Sequence, residues 1–338
     1  MTLGQYWYVV CPSRSLKHRP REIELLSRNL VLYRCSDGTP VALENRCLHR
    51  GMPLAAGRVC GDHLQCPYHG WRYDNAGRVV GIPAAPAQPE DTRQIRITGF
   101  GCCERDGYIW VSLQPTPVQT QPPELPYSGA PGWTTFRMYN RFEAPIESCL
   151  ENFLDCPHAT FVHRHWFRSP SNREVRCAVK ALDDGAVAEY FDEPRESSLV
   201  WSLLSPKKGG MRHTDRFIAP ATTRVDYIFS ERQHYVITSF CTPVNDELTD
   251  VFTVITFRHR VWGPLVRLFF EPLSRRIIAQ DVATLKLQHQ NLAKYSDRTF
   301  CITKQDVLLP HIRRWRQSLA NGTTPVGESE AYDVQVVI

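Results

Sequence analysis

The chain has 338 residues, of which 42% are hydrophobic and 22% charged, and this length and composition are typical of a globular protein of one or two domains. Its 40 basic and 35 acidic residues give a net charge of +5, and their scattered distribution argues against a nucleic-acid-binding surface. No apolar stretch is long enough to span a membrane, and the segment MTLGQYWYVV lacks the basic and long apolar regions expected of a secretory signal, although the chain contains 12 cysteines. We therefore expect a cytoplasmic protein with free or metal-bound thiols.

The N-terminal part of the sequence consists of short β-type segments separated by turns, namely YWYVV, LVLYR, PVALEN, HLQCP and GYIWVSL. This pattern predicts a small all-β domain. A proline-rich run follows, which supports neither a helix nor a central strand. We therefore predict a first domain over 1–114, a linker over 115–132 and a second domain over 133–338.

The second part begins with a helical pattern in ENFLDCPHATFVH and the residues just before it. Extended segments follow from 174 onwards, including one at 198–204. A long helical pattern over 263–293 is expected to break near Pro272, and a last helix is expected around 305–320. The second domain is therefore predicted to be α+β, with antiparallel strands between helices.

Two short loops in the first domain each contain one cysteine and one histidine. Cys47 and His49 form one pair, and Cys66 and His69 form the other after a spacer of sixteen residues. Such a set can bind zinc, or a [2Fe–2S] cluster in which two cysteines hold one iron and two histidines the other. Zinc fingers usually pair like residues along the chain, so the mixed pairs favour the cluster.

The segments CLHRG and CPYHGW resemble the two loops of a Rieske domain, and the resemblance extends over about residues 5–113. It implies that Cys47, His49, Cys66 and His69 bind a [2Fe–2S] cluster. Histidine ligands make such a cluster less negative and raise its reduction potential, which suits electron transfer. Cys60 lies between the loops outside the pattern and is interpreted as an ordinary thiol.

A second group of possible metal ligands lies in the segment ENFLDCPHATFVH, which contains Asp155, His158 and His163. Two histidines and one carboxylate form the facial triad that binds Fe(II) and leaves positions open for dioxygen and substrate. Asp281 is a candidate for the carboxylate because it interrupts an apolar helical pattern. An exposed acid, or one paired with a neighbouring arginine, explains Asp281 equally well from the residues alone.

The same segment resembles the iron motif of the Rieske non-heme iron oxygenases, the family of ring-hydroxylating oxygenase α subunits and their monooxygenase relatives. The resemblance implies that His158, His163 and Asp281 bind a mononuclear Fe(II). It gives Asp155 a catalytic role, since the corresponding acid hydrogen-bonds the iron histidine and links it to a cluster histidine. Asn152 is similar to a family position near the iron, where it would act without binding the metal.

The family resemblance also implies a fold and an activity. The second domain would be a helix-grip, START-like catalytic domain with a curved antiparallel sheet. The chain would be the terminal oxygenase component, which uses O2 to monohydroxylate, or oxidatively O- or N-demethylate, an aromatic or heterocyclic small molecule. A homotrimer is implied as well, in which His69 of one subunit faces Asp155 of the next.

The sequence contains neither a glycine-rich dinucleotide fingerprint nor the cysteine spacing of a plant-type ferredoxin. Electrons must then come from a separate ferredoxin or flavin reductase that uses NAD(P)H. Three alternatives stay open at this point: a cis-dihydroxylating ring dioxygenase, a Rieske protein that only transfers electrons, and a START-like ligand-binding module without chemistry.

Overall fold

A computed structural model describes the chain at residues 2–85, 94–164, 166, 174–191, 193, 200, 204, 210–297, 299–325 and 331–337. The chain forms two compact units, Thr2–Glu124 and Leu125–Ile338. The boundary between them lies within the proline-rich segment 115–132. No helix in the described part of the chain is both long enough and apolar enough to span a membrane.

The described residues of the N-terminal unit form ten short strands. They are β1 (Tyr8–Pro12), β2 (Arg21–Leu25), β3 (Arg28–Arg34), β4 (Pro40–Glu44), β5 (Arg58–Cys60), β6 (His63–Gln65), β7 (Arg72–Tyr73), β8 (Val79–Gly81), β9 (Gly99–Arg105) and β10 (Tyr108–Ser112). A six-stranded sheet has the order β1-β10-β9-β4-β3-β2, and a four-stranded sheet has the order β5-β6-β7-β8. The prediction of an all-β first domain is confirmed.

The two cysteine–histidine loops adjoin strands of the smaller sheet. One loop precedes β5 and the other connects β6 to β7. Cys47 and Cys66 are buried in one core with Leu54, Leu64 and Tyr73. Packing of the cysteines into this core fixes the two loops relative to each other, because side chains in a dense core have little freedom to move.

The C-terminal unit contains eight strands and four α-helices among the described residues. The strands are β11 (Thr134–Phe142), β12 (Glu174–Leu182), β13 (Gly185–Phe191), β14 (Arg212–Ile218), β15 (Thr222–Ser230), β16 (Gln233–Asn245), β17 (Leu248–Arg258) and β18 (Tyr332–Val337). The helices are α1 (Ile146–Leu154), α2 (His158–Val162), α3 (Gly263–Leu292) and α4 (Leu309–Ala320). The strands form one sheet in the order β11-β17-β16-β15-β14-β13-β12-β18.

Every pairing in this large sheet is antiparallel, which confirms the α+β prediction. Helix α3 packs along the β11 side of the sheet, where the ring of Phe270 lies 5.5 Å from that of Phe136 and 5.6 Å from that of Phe257. These edge-on aromatic contacts bury a large apolar area at a single helix position. They hold the helix that carries Asp281 against the sheet.

The predicted break in the long helix is wrong, because α3 continues through Pro272 over 30 residues. A proline within a helix leaves the carbonyl four residues earlier without its usual donor. That residue is Leu268, which is exposed, so water can satisfy its carbonyl. The predicted strand at 198–204 lies mostly outside the described residues, whereas β11 and β18 are strands that the sequence patterns did not indicate.

Candidate functional site

The two cysteine–histidine loops have the same backbone hydrogen bonds. In the first loop the Cys47 N–H donates to Met52 O at 2.9 Å and the Gly51 N–H donates to Cys47 O at 2.8 Å. In the second loop the Cys66 N–H donates to Trp71 O at 2.9 Å, and the Gly70 N–H donates to Cys66 O at 3.2 Å. Both glycines have φ of +72°, a left-handed conformation that glycine adopts without strain.

This shared turn brings the two histidines together. The ring centroids of His49 and His69 are 4.4 Å apart, and Trp71 stacks on His49 at 5.0 Å. Nδ1 of His49 is buried and has no hydrogen-bond partner among the described residues. Burial, followed by the nearby His69 and Arg50, lowers the pKa of His49. The ring is therefore kept in the neutral form that binds metals.

The two cysteines lie on the buried side of the same loops. The Cys47 thiol is 3.2 Å from the Tyr73 hydroxyl, which also accepts from the backbone N–H of Leu48 at 3.0 Å. Burial raises the pKa of the Cys66 thiol, although the backbone N–H groups of Tyr68 and His69 act in the opposite direction. Two buried sulfurs and two adjacent imidazoles fit a cluster with two cysteine and two histidine ligands.

A break between two short helices sets the positions of the second group. Helix α1 ends before Asp155, whose φ of −94° and ψ of 96° are extended. Pro157 follows, and a proline disfavours helical geometry in the residue before it while it can begin a new helix. Helix α2 therefore restarts at His158, and its far end places His163 beside the first histidine.

The helix α3 brings Asp281 to these two histidines across the fold. Its Oδ1 lies 3.6 Å from Nε2 of His158 and 3.1 Å from Nε2 of His163. The three residues form a group whose ligand atoms all lie within 4.8 Å of one another. The structure thus brings together the three residues that the sequence suggested as iron ligands.

Hydrogen bonds set the tautomers of both histidines. The Gln280 side-chain oxygen lies 2.9 Å from Nδ1 of His163 and accepts its proton. Nδ1 of His158 donates in the same way to the backbone carbonyl of Asp155. Each Nε2 therefore presents a lone pair toward Asp281, since a neutral imidazole carries only one N–H.

The group has the electrostatics of a cation site. Burial raises the pKa of Asp281, but His158 and His163, when protonated, outweigh burial and lower the pKa, as a cation in the same place would. Its Oδ1 is buried and finds no hydrogen bond of acceptable geometry among the described residues. Three electron-pair donors that face one another repel unless a cation lies between them, so the residues fit a mononuclear metal ion.

The same three residues line a cavity of about 150 Å³ in the C-terminal unit. Apolar cavities of about this size accept a benzene ring. Asn152 also lines it, and its buried Oδ1 has no partner among the described residues. The remaining wall is mainly apolar and includes Met138, Phe153, Val225, Ile237, Ile255, Phe270 and Ile278.

Asp155 lies at the edge of this site with 37% of its side chain exposed. The family resemblance implies that its carboxylate hydrogen-bonds His158, but in the structure the backbone carbonyl accepts that bond and the carboxylate Oδ2 is 3.8 Å from Nδ1. Burial raises the pKa of Asp155, while His158 opposes the shift. The carboxylate is thus available to a further hydrogen-bond donor.

Sequence reasoning missed the residues that orient the metal-binding side chains. The sequence patterns assign no function to Gln280, Tyr73 or Trp71. Gln280 directly precedes Asp281, which was its only visible signal. The tyrosine and the tryptophan follow the second loop in CPYHGWRY, where their contacts with the first loop depend on tertiary structure.

Comparisons with known protein families cover both units. Residues 6–97 match the Rieske [2Fe-2S] domain, and residues 142–322 match the vanillate O-demethylase oxygenase C-terminal domain. The second match alone covers more than half of the chain. The chain belongs to the Rieske non-heme iron oxygenases.

Individual relatives agree with this assignment. The chain is 26% identical over 327 residues to a methylxanthine N1-demethylase of Pseudomonas putida, covering 94% of this chain and 89% of the relative. It is 33% identical over 165 residues to the oxygenase component of dicamba O-demethylase from Stenotrophomonas maltophilia, covering 48% of this chain and 47% of the relative. The crystal structure of dicamba monooxygenase bound to dicamba has the same fold, with a TM-score of 0.80 at 22% identity over 94% of this chain and 98% of that one.

Membership of the family has direct consequences for this oxygenase. It is an oxidoreductase, and its cofactors are a Rieske [2Fe–2S] cluster and a mononuclear iron. The matched units correspond to the two parts of the chain in which the two donor groups lie.

Proposed function

We propose that this oxygenase is a terminal component that monohydroxylates, or oxidatively O- or N-demethylates, an aromatic or heterocyclic small molecule. The cavity of about 150 Å³ carries the proposal. His158, His163 and Asp281 line it together with mainly apolar side chains, so a metal ion and an apolar substrate would lie side by side. The demethylases among its relatives support the same type of reaction.

The two donor groups are assigned to the two cofactors. Cys47, Cys66 and their loop histidines would hold the cluster, and His158, His163 and Asp281 would hold the iron. When bound, the cluster supplies electrons singly and the iron provides open positions for dioxygen next to the substrate. A separate ferredoxin or flavin reductase would supply the electrons.

The side chains around the iron ligands orient them before any metal is present. Gln280 fixes His163 with Nε2 free, and the carbonyl of Asp155 does the same for His158. Such outer hydrogen bonds fix ring orientation and raise the basicity of the ligand. The apolar wall excludes water and favours a flat, weakly polar substrate.

The proposed demethylation has a simple balance. One O2, two electrons and two protons convert an N-methyl or O-methyl group to N–H or O–H, with formaldehyde and water as the other products. Product analysis tests it, using the holoenzyme, a surrogate reductase, labelled dioxygen and a panel of methylated and unmethylated aromatics. We expect formaldehyde in step with substrate loss, or one labelled oxygen atom in a hydroxylated product.

Two labelled oxygen atoms in the product would instead support ring dihydroxylation. Iron analysis separates the non-enzymatic alternatives. A carrier of electrons or a ligand-binding module needs no iron beyond the cluster, so retention of an additional iron in the C-terminal unit supports the oxygenase.

We further propose a homotrimer in which Asp155 of one subunit receives a hydrogen bond from His69 of a neighbour. The carboxylate of Asp155, whose side chain is partly exposed, supports this arrangement. Sedimentation velocity of the holoenzyme is expected to give a trimer mass. Asp155→Asn is expected to keep both cofactors but to lower product formation by about a hundredfold or more, because an amide cannot replace the carboxylate charge.

Stopped-flow spectroscopy separates this role from a merely structural one. In Asp155→Asn, dithionite is expected to reduce the cluster normally, whereas reoxidation on mixing with O2 and substrate slows. Asp246→Asn, at an exposed turn between β16 and β17, is the matched control. Near-normal reoxidation and turnover in Asp155→Asn would contradict the bridge.

A further inference from the structure

A buried imidazolium lies between two carboxylates in the C-terminal unit. His213 on β14 has Nδ1 at 2.8 Å from Oε2 of Glu193 and Nε2 at 2.9 Å from Oδ1 of Asp215. Carboxylate oxygens accept hydrogen bonds, so both ring nitrogens must donate. Tyr190 and Tyr227, on the strands at either side, stack on the ring at 4.6 and 4.4 Å. The ring is therefore held rigidly, and so is the carboxylate that it contacts.

Asp215 connects this group of hydrogen-bonded side chains to the substrate cavity. Its side chain is only 3% exposed, yet it lines the same cavity as His158, His163 and Asp281. Its Oδ1 accepts from His213 at 2.9 Å, and the side chain borders the cavity, so Oδ2 is the oxygen offered to a ligand there. A carboxylate in a largely apolar cavity is costly to keep from water, and a ligand that donates a hydrogen bond to it offsets that cost.

The charge of the cavity wall points to the same type of ligand. Asp155, Asp215 and Asp281 line the cavity, and so does His213, whose imidazolium charge offsets only one of the three carboxylates. Repulsion between like charges is strong where water is excluded. A substrate with its own carboxylate is therefore repelled by Asp215, whereas a neutral or cationic substrate is not.

We propose that Asp215 is a specificity-determining hydrogen-bond acceptor, and that the substrate is a neutral or cationic aromatic or heterocyclic molecule with an N–H or O–H donor directed at it. His213 is a positioning residue that fixes the carboxylate. The inference rests on the proposed oxygenase function and narrows its substrate class.

The neighbouring strand provides a matched control. Asp226 on β15 also accepts from a histidine, His234, at 2.8 Å, and it is held by Arg224. It is buried but does not line the cavity, because Val225 and Tyr227 on either side of it do. Asp226→Asn thus weakens a comparable buried pair on the other face of the same sheet.

The test compares four probes with the holoenzyme. The probes 4-methoxyphenol and 4-methoxybenzylamine carry a donor, 1,4-dimethoxybenzene has none, and 4-methoxybenzoate is an anion. We measure their dissociation constants by calorimetry and their kcat/KM by formaldehyde release. Both donor probes are expected to exceed the other two by about tenfold or more in affinity and in kcat/KM.

The variant Asp215→Asn sharpens the test. His213 keeps the amide oxygen as its acceptor, so the amide NH2 is directed into the cavity and an acceptor becomes a donor. In Asp215→Asn the donor probes are expected to lose their advantage in affinity and kcat/KM, and 4-methoxybenzoate is expected to bind more tightly. In Asp226→Asn the order of the four probes is expected to stay as in the wild type. A Tm close to that of Asp226→Asn shows that the variant is folded.

The outcomes separate this inference from the proposed function. Demethylation of all four probes with equal kcat/KM would overturn the inference and leave the function standing. Selective binding of the donor probes without formaldehyde would support the inference and count against the function. Failure of the donor probes to bind the wild-type holoenzyme, or a donor preference that survives in Asp215→Asn, would overturn the role of Asp215.

Discussion

The two metal-binding regions of this oxygenase are assembled in opposite ways. The cluster loops lie within 23 residues of each other, from Cys47 to His69, and each loop closes on itself through the same backbone hydrogen bonds. The iron site combines His158 at the start of α2 and His163 just after its end with Asp281, more than a hundred residues later on α3. One region depends on local turns, and the other on the packing of a helix against a sheet.

The two kinds of assembly require different structural support. A local loop needs a glycine at the position with positive φ and a cysteine in the core below it. A site assembled from distant elements needs rigid supports, which here are the aromatic contacts of Phe270 and the hydrogen bond of Gln280. We therefore expect substitutions in the two regions to have separable effects.

The largest expected effect is the loss of one cofactor without the other. Asp281→Ala removes the only carboxylate in the triad, so we expect loss of the mononuclear iron and activity below about one thousandth of wild type. Iron content is expected to fall by about one third, while the visible spectrum of the cluster is retained. Gln290→Ala, at an exposed position of the same helix, is the control.

The reciprocal variant is Cys66→Ser, which removes a buried ligand of the cluster. It is expected to abolish the visible cluster absorption and the activity, while iron binding in the C-terminal unit persists. A variant of either type that lost both cofactors would contradict the independence of the two regions. Iron analysis and visible spectroscopy on the same samples decide between these outcomes.

The second prediction concerns the hydroxyl that contacts Cys47. Hydrogen bonds to cluster sulfurs raise the reduction potential by stabilising the added negative charge. Tyr73→Phe removes such a contact, so the potential is expected to fall by tens of millivolts, since a hydrogen bond contributes about 1 kcal/mol. Redox titration of the holoenzyme measures the shift.

Tyr33→Phe is the matched control for this potential. Tyr33 is buried in the same core, but its hydroxyl has no hydrogen-bond partner among the described residues. Its removal is expected to leave the potential unchanged. Equal shifts in both variants would mean that core packing, rather than the bond to Cys47, sets the effect.

The contrast between the regions also marks how far the sequence could predict the structure. Spacing alone indicated the two loops, and strand periodicity indicated most of the antiparallel sheet. For Asp281 the residues left two interpretations open, because the distance between α2 and α3 is not encoded locally. The family resemblance singled it out before the fold placed it beside His158.

Other features escaped prediction for related reasons. Among the described strands, β18 forms an edge of the large sheet beside β12, so its partly exposed residues give a weak burial pattern. Pro272 was expected to interrupt α3, but packing around Phe270 outweighs its local effect. Asp215 gave no signal, because its importance comes from a cavity bounded by several strands.

The smallest expected effects compare the two glycines with φ of +72°. A Cβ at Gly51 would meet no atom within 4 Å, so Gly51→Ala carries only the conformational cost of about 1–2 kcal/mol. At Gly70 the same atom would lie 2.9 Å from Cγ of Pro83 and 3.2 Å from Nε2 of Gln65. Gly70→Ala is therefore expected to lower the melting temperature more than Gly51→Ala, with both shifts of a few degrees.

Thermal melting followed by the cluster absorption measures both glycine variants. Gly61→Ala is the control, because Gly61 has φ of +63° with no atom within 4 Å of its Cβ and lies in the turn between β5 and β6, outside the two loops. It is expected to match Gly51→Ala in global melting but to retain the cluster up to the unfolding transition. If Gly51→Ala and Gly70→Ala were equally destabilised, the second loop would have room to relax, and the two loops would be equivalent in packing as well as in backbone geometry.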